Sequence, residues 1–323
     1  MRLSDIVLVR AFVAGASGVL GRRIVKRLVA RGHSVVGLVR SDASATALAS
    51  LGGEARRADL FDKDAVAHAA SGCDIVIRAA TAIPTKVRTG PADWAMNDRI
   101  RREGTRSLVA AATHVGARAF LQESVVWAVG TLDGRPFDED APPAGDPILA
   151  SALDGERIAR EAGSARGFET LALRCGGFYS ADGWHTRILA ESMARGRPVL
   201  IGRHSPVWSL IHTDDAASAF VAAAEAPRTG VWHIVDDRPA PLADFLGEMA
   251  RRLGARPPRR MPRWLARMFL GRYGTRILSS SFSTSNARFR RDFMWRPSFP
   301  TYVEGMEQVA NAWRSEGFPL RRS

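Results

Sequence analysis

Two different spacings of apolar residues run along the first half of the chain. Val9 to Ala14 is a short β-branched, aromatic and small-residue run that ends at Gly15, as a buried strand entering a turn does. Val19 to Arg31 then repeats its apolar residues at helical spacing, with Ile24, Leu28 and Val29 on one side, and Gly32 stops it. The same reading predicts strands at Ser34 to Val39, Asp74 to Ala79, Ala119 to Gln122 and Thr170 to Arg174, and a helix at Gly104 to His114. Strands separated by helical patterns predict an α/β fold with a parallel, doubly wound sheet. From about Trp184 the pattern loosens, and residues 184–203 and 239–284 read as helical insertions.

The turn after the first strand carries Gly15-Ala16-Ser17-Gly18-Val19-Leu20-Gly21. Glycines at this spacing permit a tight turn, close backbone approach to a pyrophosphate and close helix packing, and the helix start adds free N–H groups. The run therefore predicts a Rossmann-type dinucleotide site, with Arg22 also suited to phosphate. A cofactor with a free ribose 2′-OH expects an acid at the end of the second strand. That strand ends at Arg40 and its first acid, Asp42, comes later, so a guanidinium is placed to grip a 2′-phosphate. NADPH is the expected cofactor. The expected division is a dinucleotide-binding half over 1–183 and a smaller substrate lobe over 184–323, with segments near 207–236 partly returning to the sheet.

Composition narrows the partners. The 323 residues carry 24% charged side chains and a formal charge of +13, yet hold only three lysines, Lys26, Lys63 and Lys86. Scattered arginines replacing lysine account for the charge, and no nucleic-acid module accompanies it. The most apolar N-terminal stretch is interrupted by Asp5 and Arg10, which argues against a membrane span and makes a cytoplasmic location the expectation. Cys73 and Cys175 lack metal-ligand spacing and form no disulfide framework. Asp214 and Asp215 suit a helix N-terminus better than a metal site, and no metal is expected. Monomer and homodimer both remain open.

The GxxGxxG spacing, Asp59-Leu60, Ala79-Ala80, Gly104-Thr105-Arg106-Ser107-Leu108, Arg174-Cys175-Gly176-Gly177-Phe178-Tyr179 and Ile211-His212-Thr213-Asp214-Asp215-Ala216 together resemble the extended short-chain dehydrogenase/reductases, the NAD-dependent epimerase/dehydratase family. The resemblance implies that Asp59 and Leu60 hold adenine, Ala79 and Ala80 line the ribose, and Cys175 to Phe178 approach the nicotinamide.

One departure from the family stands out. Its members place Tyr and Lys one helical turn apart, so that the ammonium lowers the phenol pKa and the phenol passes a proton to the carbonyl oxygen. The tyrosines here are Tyr179, Tyr273 and Tyr302, followed four residues later by Gly183, Ile277 and Met306. In the expected helix the two positions fall on Ile148 and Ala152. Ser124 sits near the family's Ser position, and with Tyr179 is the candidate for catalysis.

The aromatic residues Trp127, Phe178, Trp184, Trp208 and Phe269, with His185, suggest a pocket for a flat apolar or aromatic small molecule. The Pro-bounded segment from Pro257 to Leu270, and a second helix near Tyr273 to Ser280, read as a lid near 255–282. The preferred expectation is NADPH-dependent reduction of a ketone on an aromatic polyketide of angucyclinone type, the proton coming from a phenol on the substrate itself. Aromatic polyketide ketoreductases of antibiotic pathways that lack the Tyr are similar in this respect. An epimerase or dehydratase, or a non-catalytic NADP(H) sensor, are the alternatives. His212 is expected to tether a strand end, and Glu123 to be either a buried acid or a surface partner of an arginine.

Overall fold

The computed structural model describes residues 7–318 except Val87 and Leu132. Seven parallel strands form the centre: β1 Arg10–Ala14, β2 Ser34–Val39, β3 Glu54–Arg57, β4 Ile75–Arg78, β5 Ala119–Val125, β6 Glu169–Cys175 and β7 Gly230–Ile234. Their order across the sheet is β7-β6-β5-β4-β1-β2-β3. Alternation along each strand splits the core into two layers. Ala11, Val13, Ile75, Ile77, Ala119 and Leu121 pack into one apolar cluster, whereas the interleaved Phe12, Ala14, Val76 and Phe120 pack into the other. Both faces are therefore dry, as a parallel sheet covered by helices on two sides must be.

Helix α1, Gly21–Ala30, starts two residues later than the apolar spacing predicts, because Val19 and Leu20 still belong to the turn. Its Ile24, Val25 and Leu28 are fully buried against the helix Thr213–Glu225, whose Ala216, Ala217 and Phe220 belong to the same cluster. Burying each of these side chains on α1 contributes about 1.5–3 kcal/mol.

The strand order reverses between β1 and β4. A crevice opens there, at the carboxyl ends of the strands, which is where ligands bind in such sheets. The chain runs outward along β5 and β6 before β7 closes the edge. Gly177–Tyr179 and Leu210–His212 leave the main sheet to pair with each other, in parallel, beside the crevice.

The second half builds its own apolar cluster from Tyr179, Leu210, Leu246, Met249, Met306 and Trp313, held by the helices Leu242–Leu253 and Tyr302–Glu316. The segment expected as a lid contains one helical stretch, Arg263–Ser279, broken at Gly271 (φ 72°, ψ 179°). The break divides it into the two helical pieces that the sequence predicts.

Candidate functional site

The glycine turn shapes the floor of the crevice. Gly15 adopts φ +88°, and a Cβ there would lie 2.6 Å from the Ala80 nitrogen at the end of β4. Gly21 packs α1 onto the turn so closely that a Cβ would lie 2.0 Å from the Gly15 oxygen. Gly18 differs: it is exposed, and a Cβ would meet only the Gly15 oxygen at 3.2 Å. Gly15 and Gly21 are thus required for the shape, and Gly18 leaves its space to a ligand.

The resulting cleft has a volume of about 460 Å³, within the usual range for a ligand site. One end is lined by Arg40, Ser44, Asp59 and Leu60, the middle by Ser17 to Leu20 with Ala79 and Ala80, and the far end by Glu123, Phe178, Trp184, His185 and Thr213. An extended dinucleotide fits this sequence of surfaces: a small pocket beside a guanidinium, a backbone cradle at a helix start, then an aromatic end. Asp42 does not reach the cleft, because it heads the next helix and pairs with Arg57.

Several expected site residues point elsewhere. Ser124 is fully buried and donates its hydroxyl to Glu156 Oε1 at 2.5 Å, away from the cleft. Tyr179 is packed into the second-half core, edge-on to His212 and Phe245, and its hydroxyl finds no partner. Burial and the nearby Asp236 and Asp215 push its phenol well above the ordinary value, the reverse of what a proton donor needs. Cys175 is buried at the end of β6 and burial likewise raises its thiol; Phe178 alone of that segment's two named candidates lines the cleft. Trp127 and Trp208 both pack on Phe282, with Trp208 also bonded to the Ser280 oxygen. Phe269 lies on the outer face of its helix, 59% exposed. Arg22 pairs with Asp182, and Arg23 bridges Asp182 and Asp214, so both are taken up in ion pairs and Arg23 ties α1 to the second half.

His212 caps the helix Thr213–Glu225 by accepting the Asp214 N–H at 3.2 Å, while Asp215 accepts from the Ser298 and Phe299 N–H groups. Ile148 and Ala152, the positions that the sequence resemblance assigns to the family's Tyr and Lys, are both buried and apolar.

The polar group that faces the aromatic end is Glu123, next to Ser124. It is 4% exposed, its Oε2 has no partner, and burial raises its carboxyl pKa against the opposing pull of Arg101 and Arg78. His185 also lines this end and donates Nε2–H to the Phe178 oxygen; burial lowers its pKa, which keeps the ring neutral.

The family model for the NAD dependent epimerase/dehydratase family matches residues 11–235. A 3-diazoavenalumate denitrifying reductase from a Streptomyces species is 36% identical over 307 residues, covering 92% of this chain and 99% of that protein. A 4-hydroxy-2-methyl-3-oxo-4-farnesyl-3,4-dihydroquinoline-1-oxide ketoreductase from Stigmatella aurantiaca is 30% identical, covering 73% and 71%. Among solved structures, the dTDP-glucose 4,6-dehydratase DesIV of Streptomyces venezuelae superposes with a TM-score of 0.79 at 19% identity, over 97% of this chain and 99% of that one. The human epimerase family protein SDR39U1, solved with NADPH, gives 0.78 at 21% identity over 94% and 99%. The strand order, the glycine cradle and the sequence match agree, and the chain belongs to the NAD-dependent epimerase/dehydratase family.

Proposed function

We propose that the protein is an NADPH-dependent reductase of a small aromatic molecule, acting on an electrophile that needs no proton from a Tyr/Lys pair. The observation that carries this reading is the apolar pair Ile148 and Ala152 where that machinery would stand, with Tyr179 withdrawn into the core. Arg40 at the cleft rim, without a strand-end acid beside it, supports NADPH over NADH. A bound nicotinamide supplies hydride; the chain orients the partners and excludes water, and positioning alone accounts for a large part of such a rate enhancement.

The acceptor that suits this site best is an aryl diazonium, as in a 2-diazophenol. Hydride adds to the electrophile, the carbon–nitrogen bond breaks and N2 departs, leaving an arene; the neighbouring phenolate takes its proton from water. No alkoxide forms, so no general acid is required. The Streptomyces relative, named for a diazo substrate and its denitrification, supports this choice. The second reading is reduction of an aromatic ketone, of polyketide type, protonated by an adjacent phenol of the substrate. The named ketoreductase relative favours it.

The deciding experiment offers the protein NADPH deuterated at the transferable position, with a 2-hydroxyaryl diazonium and a panel of aromatic 2-hydroxyketones. Release of N2 and deuterium on the arene carbon are expected. Reduction of the ketones with an untouched diazonium would replace the first reading by the second, and an unchanged NADPH absorbance with both would defeat the reductase reading.

A further inference from the structure

Buried polar side-chain atoms ordinarily find partners. Eight of the fourteen that do not, among the described residues, come from β4, β5, the helical run 91–104 and the start of the helix Ala150–Arg166: Arg78 Nε, Trp94 Nε1, Asn97 Nδ2, Asp98 Oδ1, Arg101 Nε and Nη1, Glu123 Oε2 and Ser151 Oγ. Five are N–H donors, and only two are carboxylate acceptors.

Arg101 dominates the group. It lies on the π-turn Ile100–Gly104, a helical irregularity of the kind that clusters at functional sites. The preceding Ile100 lines the cleft, and Arg101 is 3% exposed. Among the described residues, its Nε and Nη1 find no hydrogen-bond partner. Arg78 differs, since it reaches the Glu123 and Ala80 oxygens. A buried guanidinium whose N–H groups go unpartnered is costly. It is tolerated where a ligand completes it.

The surroundings fit an elongated ligand. The Arg101 oxygen faces Gly155, where a Cβ would come within 2.9 Å, and Ser151 sits one helical turn before Gly155 on the same face. On the far side Tyr273, from the second half of the lid helix, stacks edge-on to Trp94 at 5.5 Å. Arg101 is close enough to act electrostatically on both Glu123, which lines the cleft, and Tyr273, and so stands between the cleft and the helical segment Arg263–Ser279.

We infer that Arg101 and the donors around it form an anion site that holds a carboxylate on the substrate, with the aromatic ring lying between it and the nicotinamide end. The class of substrate is an aryl acid, not a neutral arene. The inference rests on the reductase reading for the identity of the ligand, but its test does not use turnover.

The full-length protein saturated with NADP+ is titrated calorimetrically with 4-hydroxycinnamate and with 4-hydroxycinnamamide, which share ring and length and differ in charge. The acid should bind roughly ten- to a hundredfold more tightly, the worth of a charge-assisted hydrogen bond. Arg101→Gln should abolish that preference while NADP+ and amide affinities hold, and Arg101→Lys should restore part of it. Equal affinities in the native protein, no binding of either probe, or a preference that survives Arg101→Gln would each overturn the anion site. An acid preference with no NADPH oxidation by any aryl electrophile would instead leave the anion site standing and defeat the reductase reading.

Discussion

The Ser124 hydroxyl lies 2.5 Å from Glu156 Oε1, and that carboxylate is held in turn by Arg174 at 2.9 and 2.7 Å. All three side chains are buried. The arrangement locks the helix Ala150–Arg166 to the ends of β5 and β6 and spends no polar group on the cleft. Glu156→Ala should therefore cost about 3–5 kcal/mol by stranding the Arg174 charge. Ser124→Ala should leave turnover within about tenfold of native, well inside what a general acid contributes. Denaturant unfolding and steady-state rates measure the two effects, and a dead but stable Ser124→Ala protein would contradict the assignment.

Arg40 and the glycine turn separate cofactor recognition from folding. Arg40→Ala should weaken NADPH by roughly ten- to a hundredfold, the loss of a forked phosphate contact, and leave NADH nearly unchanged. Equal affinity of the native protein for both cofactors would remove the basis for this.

Gly18→Val should lose dinucleotide binding at an almost unaltered melting temperature, since only the ligand's space is filled. Gly15→Ala should lower the melting temperature as well, because its Cβ meets the β4 backbone at a left-handed φ. Cofactor titration beside thermal unfolding of both variants checks this, and intact binding in Gly18→Val is the adverse result.

Two buried histidines predict acid sensitivity. Burial, aided by Arg174 and Arg288, lowers His233 to about 3, and burial lowers His212 to about 4 against the pull of Asp214. Unfolded, each binds a proton near the ordinary value of about 6.5. Between these limits the unfolded chain holds more protons, so each histidine's contribution is complete above about 6.5 and declines as pH falls, by up to about 1.4 kcal/mol per pH unit. The raised carboxyls of Glu123 and Asp236 act in the opposite sense, so the comparison of slopes is the informative one. His233→Gln can still donate to Thr284 and should show a shallower loss of stability between pH 6 and 4; a slope identical to native would refute the linkage.

The break at Gly271 gives the segment expected as a lid two helical halves. A side chain there faces Arg88 at 3.4 Å on a backbone that costs other residues about 1–3 kcal/mol. Gly271→Ala should raise the KM for the aromatic substrate and leave the NADPH affinity alone, as the cradle lies elsewhere. A parallel loss of cofactor binding would mark the segment as part of the main core.

The parts of the fold legible in the sequence are those with a strong period: β1, α1, β2 and the glycine turn. The misplacements of Ser124 and Tyr179 share one physical origin. Neighbouring residues on an extended segment face opposite ways, so a displacement of one position exchanges cleft for core. Glu123 faces the cleft and Ser124 the interior; Phe178 faces the cleft and Tyr179 the second-half core. Motif resemblance placed the segments, but not the parity within them. Trp127 and Phe269 failed for another reason, since aromatic composition alone carries no direction. Arg101 is not legible in the sequence because one arginine among Arg99, Arg102 and Arg106 in a polar helical run reads as surface until its burial is seen.

The arginine pair after the glycine turn has a consequence for how this protein can be altered over time. Arg23 reaches Asp182 and Asp214, and the apolar side of α1 is roofed by the helix Thr213–Glu225. A fragment ending near residue 183 would keep every glycine of the cradle and lose that roof together with the edge strand β7. The two halves are therefore not separable modules. Recombination that grafts a foreign second half onto this loop must therefore carry over a matching acid and a matching small-residue helix, so the second half is more readily altered by remodelling residues in place than by exchange of whole pieces.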